Sequence, residues 1–104
     1  MASGRLASIY PGDTNVVNLF TCPTGKKIVA TIRACNQTTD PISVNMWLSD
    51  GTYDEADVIE PTTPIQGNTV LENSGILMGE GDTLHVQTLE EGVNFIVWGL
   101  EETA

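Results

Sequence analysis

The sequence predicts an all-β protein: an antiparallel β-sandwich of about seven to eight strands, jelly-roll or Ig-like, with almost no helix. Three observations carry this. Apolar residues recur with a period of two through most of the chain. Turn-forming clusters separate these runs at short, regular spacing. The length of 104 residues suits one such domain, spanning 1–104 behind a short flexible N-terminus.

The runs in order are RLASIY, NVVNLFT, KIVATIRAC, SVNMWLS, NTVLEN, DTLHVQT and VNFIVWGL. In KIVATIRAC, Ile28, Ala30, Ile32 and Ala34 share one face, and Val29, Thr31, Arg33 and Cys35 share the other. In SVNMWLS, Val44, Met46 and Leu48 point one way, with Ile42 extending that side, while Asn45, Trp47 and Ser49 point the other way. Successive side chains on a pleated strand alternate faces, so each of these runs has one face for a core. VNFIVWGL differs. Phe95 and Val97 oppose Ile96, Trp98 and Leu100, which makes it apolar on both faces. Such a strand is central in its sheet or covered by a neighbouring subunit. Pro11-Gly12-Asp13, Pro23-Thr24-Gly25, Thr39-Asp40-Pro41, Ser49-Asp50-Gly51, Gly67-Asn68, Gly79 to Asp82 and Glu91-Gly92 supply the reversals. Asp54, Glu55 and Ala56 predict one short helical turn, too short to stand alone.

Composition narrows the function. Charged residues make up 17% of the chain against 40% hydrophobic, so it is globular despite a net charge of −10. Arg5, Lys26, Lys27 and Arg33 are its four basic residues, and thirteen of fourteen acids follow Ala34. That balance repels phosphates, which argues against nucleic-acid and anionic-membrane partners. The acids read first as solubility and self-repulsion against clumping, and alternatively as an outward acidic face with a less acidic docking face. No apolar run approaches the ~20 residues of a membrane span, and the first residues hold no continuous apolar stretch, so no secretory signal is expected.

Candidate chemistry is sparse. Cys22 and Cys35 are thirteen residues apart. A straight strand would set Cys35 about 26 Å from Lys27. Cys22 can reach back at most ~17 Å from there, leaving roughly 9 Å where a disulfide needs Cα atoms within about 7 Å. Free, largely buried thiols are expected. The single histidine, His85, sits in a strand with no G-x-S-x-G elsewhere, so it reads as a surface or cross-strand residue. Asp50, Asp54, Glu55 and Asp57 form an acidic loop without EF-hand spacing. The Gly79–Asp82 stretch leads into a strand and lacks the helix terminus and lysine of a phosphate cradle. Adjacent Glu90-Glu91 and Glu101-Glu102 point to opposite faces and do not converge on a substrate. No enzyme, cofactor or metal is expected. Trp47 and Trp98 are the candidates for burying apolar surface between copies, with Arg5 and Arg33 as docking cations, because tryptophan is enriched in interface cores.

Several stretches resemble small all-β virion proteins of tailed bacteriophages: TCPTGK at 21–26, ACN at 34–36, ADVIE at 56–60, VLENSGILMGEGD at 70–82 and WGLEE at 98–102. Each is turn chemistry beside a strand; their order and spacing from about residue 7 onward carry the likeness. Cys22, where similar chains tend to carry an aliphatic residue such as Val, and the density of acids after Arg33 depart from the pattern. The resemblance implies a structural subunit without catalysis, homo-oligomeric and often trimeric, assembled in the host cytoplasm and residing in the virion. A capsid decoration (cement) protein contacting the major capsid protein is the first expectation. A tail or fibre module binding a host receptor or glycan, with Tyr53 beside the acidic loop as its aromatic, is the alternative.

Overall fold

In a computed structural model that describes residues 4–103, eight strands form two four-stranded antiparallel sheets. They are β1 (Gly4–Ile9), β2 (Val17–Thr21), β3 (Lys26–Asn36), β4 (Ile42–Ser49), β5 (Val58–Ile65), β6 (Val70–Met78), β7 (Thr83–Thr88) and β8 (Val93–Thr103). One sheet has the order β1-β8-β3-β6 and the other β2-β7-β4-β5. The ladders β1·β8, β2·β7, β3·β6 and β4·β5 are those of one long hairpin, with its tip between β4 and β5, rolled onto itself. That is the eight-stranded jelly roll. Of the two architectures the sequence allows, the register selects this one. The expected N-terminal flexibility falls on residues 1–3, outside the described residues.

The core lies between the sheets. Ile28, Ala30, Ile32 and Ala34 from β3 are buried, as are Val44 and Met46 from β4, Leu84 and Val86 from β7, and Val93, Phe95 and Val97 from β8. Alternation places each of these sets on an inner face, as the period of two requires. Asn36 is a buried polar exception with its partners in place. Its Nδ2 donates to the Asp40 and Ile65 carbonyls, and its Oδ1 accepts from the Thr38 amide. It thereby closes the β3–β4 connection.

β5 has no counterpart among the seven runs read from the sequence, because Pro61 and Pro64 interrupt it. Proline cannot donate to a ladder and is tolerated at a sheet edge, which is where β5 lies. Its pairing with β4 shifts register twice. There Thr62 adopts a left-handed φ of 41°, held by the Asn45 side-chain oxygen, which accepts from its amide at 2.6 Å. β6 runs longer than NTVLEN suggests. Gly75, at φ 71°, sits beside a register shift between Ala30 and Ile32, and the strand resumes as Ile76–Met78. Such a bulge re-aims the side chains that follow it. The expected helical turn is a 3-10 turn over Glu55–Asp57, capped by Asp54, whose carboxylate accepts from the Ala56 amide. No helix among the described residues is long and apolar enough to cross a membrane.

Candidate interaction face

The outward face of the β1-β8-β3-β6 sheet is where the sequence-predicted residues meet. Arg5 of β1 stands directly opposite Trp98 of β8, which is opposite Thr31 of β3. Arg33, two residues along β3 and therefore on the same face, lies with its guanidinium 5.3 Å from the Trp98 ring centroid. Glu72 on β6 accepts from Arg33 Nη2 at 2.7 Å and from Nε at 3.1 Å. Arg33 is thus fixed from two sides. Trp47 is not on this face: it belongs to β4, in the other sheet, and its ring packs 4.8 Å from that of Tyr53.

Beside the arginine–tryptophan cluster runs a row of apolar side chains open to solvent. Val29 on β3 pairs with Leu77 on β6 and with Leu100 on β8, so the three lie in one line across three strands. Their exposures are 48%, 71% and 63%. Val70 adds a fourth exposed apolar residue near the far end of β6. The row borders a depression of ≈ 330 Å³ floored by Ile28 and Met78 and flanked by Lys27 and Glu102. Below it, β3 and β8 approach so closely that a Cβ on Gly99 would fall on the Val29 carbonyl oxygen. Contiguous exposed apolar surface of this kind marks contact sites, whereas single exposed residues do not.

Charge sorts with apolarity. Arg5, Lys27 and Arg33, three of the four basic residues, stand on this face beside only two of the fourteen acids, Glu72 and Glu102. The least acidic outward face of the chain is therefore that of the β1-β8-β3-β6 sheet. The apolar row itself escapes sequence reading, because Val29, Leu77 and Leu100 are 48 and 23 residues apart and only strand register lines them up.

No protein family, curated protein or solved structure matches this chain.

The outward face of the β2-β7-β4-β5 sheet is polar and internally bonded. Gln87 Nε2 donates to the Thr14 carbonyl, Asn45 Nδ2 donates to Gln87 Oε1, and Asn45 Oδ1 accepts from Thr62, which links four segments across the sheet. His85 is a cross-strand residue here, buried to 6% exposure. Its Nε2 lies 2.9 Å from Ser49 Oγ, and its ring lies 4.9 Å from that of Tyr53. Burial holds its pKa below the usual histidine value, against a smaller opposing pull from Asp57. The serine–histidine contact is not evident in the sequence, where the two residues are 36 apart. Ser49 Oγ also accepts from the Gly51 amide, and the side chain is buried, so the pair ties β4, β7 and the following turn together.

The remaining candidates are simpler. Both cysteines are free. Cys22 is buried, and desolvation first, then the Asp82 carboxylate, raises its thiol pKa, which disfavours the reactive thiolate. Cys35 is only half-buried, because it faces outward on β3 beside Val70 and Asn94. Asp50, Asp54 and Asp57 border a shallow depression of ≈ 420 Å³. Among the described residues, no group of three or more His, Cys, Asp or Glu is placed to hold a metal. Asp54 and Asp57 are instead engaged in capping the 3-10 turn.

Proposed function

We propose that this chain is a structural protein of a tailed-phage virion, a capsid decoration protein that stabilises the shell as a homo-oligomer. The observation that carries this is the solvent-open row Leu77–Val29–Leu100, on a face holding most of the chain's cations. A protein with that surface acts by covering it. The sequence resemblance to small virion proteins supplies the setting, and the jelly roll, a fold used by capsid proteins among others, is compatible with it.

The mechanism is burial coupled to stability. Pairing of copies through that row removes apolar surface from water, at about 25 cal/mol per Å², and the resulting oligomer covers a seam between shell subunits. Binding to the assembled shell and not to its separated subunits shifts the equilibrium toward assembly by mass action. Acids elsewhere on the chain would face solvent and keep coated particles from clumping.

Quantitation of this chain in purified particles tests the proposal. Copies on the scale of the shell's own subunits are expected. A handful per particle would move the protein to the tail, where receptor or glycan binding becomes the reading to pursue. For that second role, both Trp47 and His85 already pack against the Tyr53 ring.

A further inference from the structure

We propose that the occupant of the apolar row is the same row on a second copy of this chain, the two sheets meeting face to face about a two-fold axis. This rests on the reading of that face as the chain's docking surface, and it names the partner.

Apolar complementarity comes first. The large apolar residues exposed among the described residues are Tyr10, Val29, Tyr53, Val70, Leu77, Leu89 and Leu100. Val29, Leu77, Leu100 and Val70 share the β1-β8-β3-β6 face, and the other three are scattered. The surface of this chain best able to meet the row is therefore the row itself. Charge points the same way. With Arg5, Lys27 and Arg33 against Glu72 and Glu102, the face is nearly balanced, while the rest of the chain holds Lys26 and twelve acids. Face-to-face pairing turns both acidic remainders outward, whereas pairing through the remainder sets acids against acids.

Register supplies the self-complementarity. An axis lying in the interface, along the boundary of β3 and β8, sets β3 of one copy over β8 of the other. Val29 then faces Leu100 of the partner subunit, and Lys27 faces Glu102 of the partner subunit, each contact occurring twice as an isologous interface requires. Within one chain, Lys27 and Glu102 are 3.7 Å apart and both are well exposed, a slack pair able to exchange partners. The same axis carries β1 over β6, bringing Arg5 toward the partner subunit's Glu72 and Leu77 toward the start of the partner's β1, so the row-on-row contact itself is Val29 with Leu100. Twisted sheets cross at about 30°, so the contacts nearest the Val29–Leu100 crossing stay aligned. The size is adequate. Strands of six, eleven, eleven and nine residues, at about 3.3 Å per residue and about 4.8 Å spacing, make a plate on the order of 600 Å², below the ≈ 800 Å² per partner of a standard interface but of its order.

Sedimentation equilibrium of the purified full chain, over a dilution series, tests this. The expected mass is twice that of the 11.2 kDa chain. Lys27→Glu and Glu102→Lys should each sediment as monomers, because each sets like charges across the axis. Mixed together, they should recover the dimer mass, since the acid introduced in one chain then meets the base introduced in the other. That rescue cannot arise from the pair within one chain. Circular dichroism checks that both variants remain folded. Leu100→Glu is the second route, placing a charge in the centre of the row; its monomerisation is expected. A wild-type monomer, a mass of three chains, or a mixture that stays monomeric overturns the two-fold pairing. A monomer that still co-sediments with purified capsids would overturn the pairing and leave the docking role standing. A dimer that does not bind capsids would do the reverse.

Discussion

The two outward faces of this sandwich solve the same problem in opposite ways. Both are backed by the same core, and both belong to four-stranded antiparallel sheets. On the β2-β7-β4-β5 face, side chains bond to one another: Asn45 to Gln87 and Thr62, Ser49 to His85, Thr21 to Thr83. On the β1-β8-β3-β6 face, Val29, Leu77 and Leu100 are left open to water. A face whose polar groups are satisfied internally has little to gain from a partner. An apolar face gains free energy whenever something covers it. The difference is the ground for proposing the apolar face as the docking surface.

The comparison predicts that substitutions on the polar face change stability and those on the apolar face change assembly. The largest effect is expected from Ser49→Ala. It leaves the buried His85 Nε2 without its partner and removes the acceptor of the Gly51 amide. Loss of a buried hydrogen-bond partner costs about 1–3 kcal/mol. At roughly 4–8 °C per kcal/mol for a domain of this size, the melting temperature should fall visibly under conditions that hold the oligomeric state fixed. An unchanged melting temperature would mean that the pair contributes no stability.

A smaller effect is expected from pH. His85 has a pKa below its ordinary value of 6.5 when folded, mainly through desolvation. The unfolded chain therefore binds the proton more readily, and ∂ΔG/∂pH is positive between the folded and unfolded pKa values. Stability is full above the unfolded value and declines as pH falls below it, levelling off beneath the folded value. Thermal melts from neutral to mildly acidic pH should show this decline in the wild type and less of it in His85→Gln. Asp57 is the acidic group that opposes the shift, so Asp57→Asn should steepen the decline.

The smallest effect on folding belongs to the apolar face. Leu77→Ser alters a side chain that is 71% exposed, and surface changes of this kind stay within about 0.5 kcal/mol. Denaturant unfolding of the monomer should barely move, while self-association weakens. A large loss of monomer stability would mean that Leu77 serves the fold of the single chain.

Much of this molecule was legible without coordinates. Alternation in residues 26–36 and 42–49 set which side chains face the core, and the separation of Cys22 from Cys35 along a long strand fits their being free. The double apolarity of VNFIVWGL marked β8, which is central in its sheet and still bears the exposed Leu100. β5 was not legible, since Pro61 and Pro64 argue against a strand until its edge position is known. Trp47 and Trp98 are both interface candidates in the sequence; the two sheets place them on opposite outward faces.

The sequence by itself determined the secondary structure and the inward face of most strands, because both follow from local periodicity and turn chemistry. It also determined the excess of acid and the scarcity of cations. Only the tertiary structure decided which distant residues share a row. Register between β3, β6 and β8 aligned Val29, Leu77 and Leu100 and gathered Arg5, Arg33 and Trp98 beside them. Strand pairing is non-local, and shifting one strand by a single residue would turn its member of that row inward.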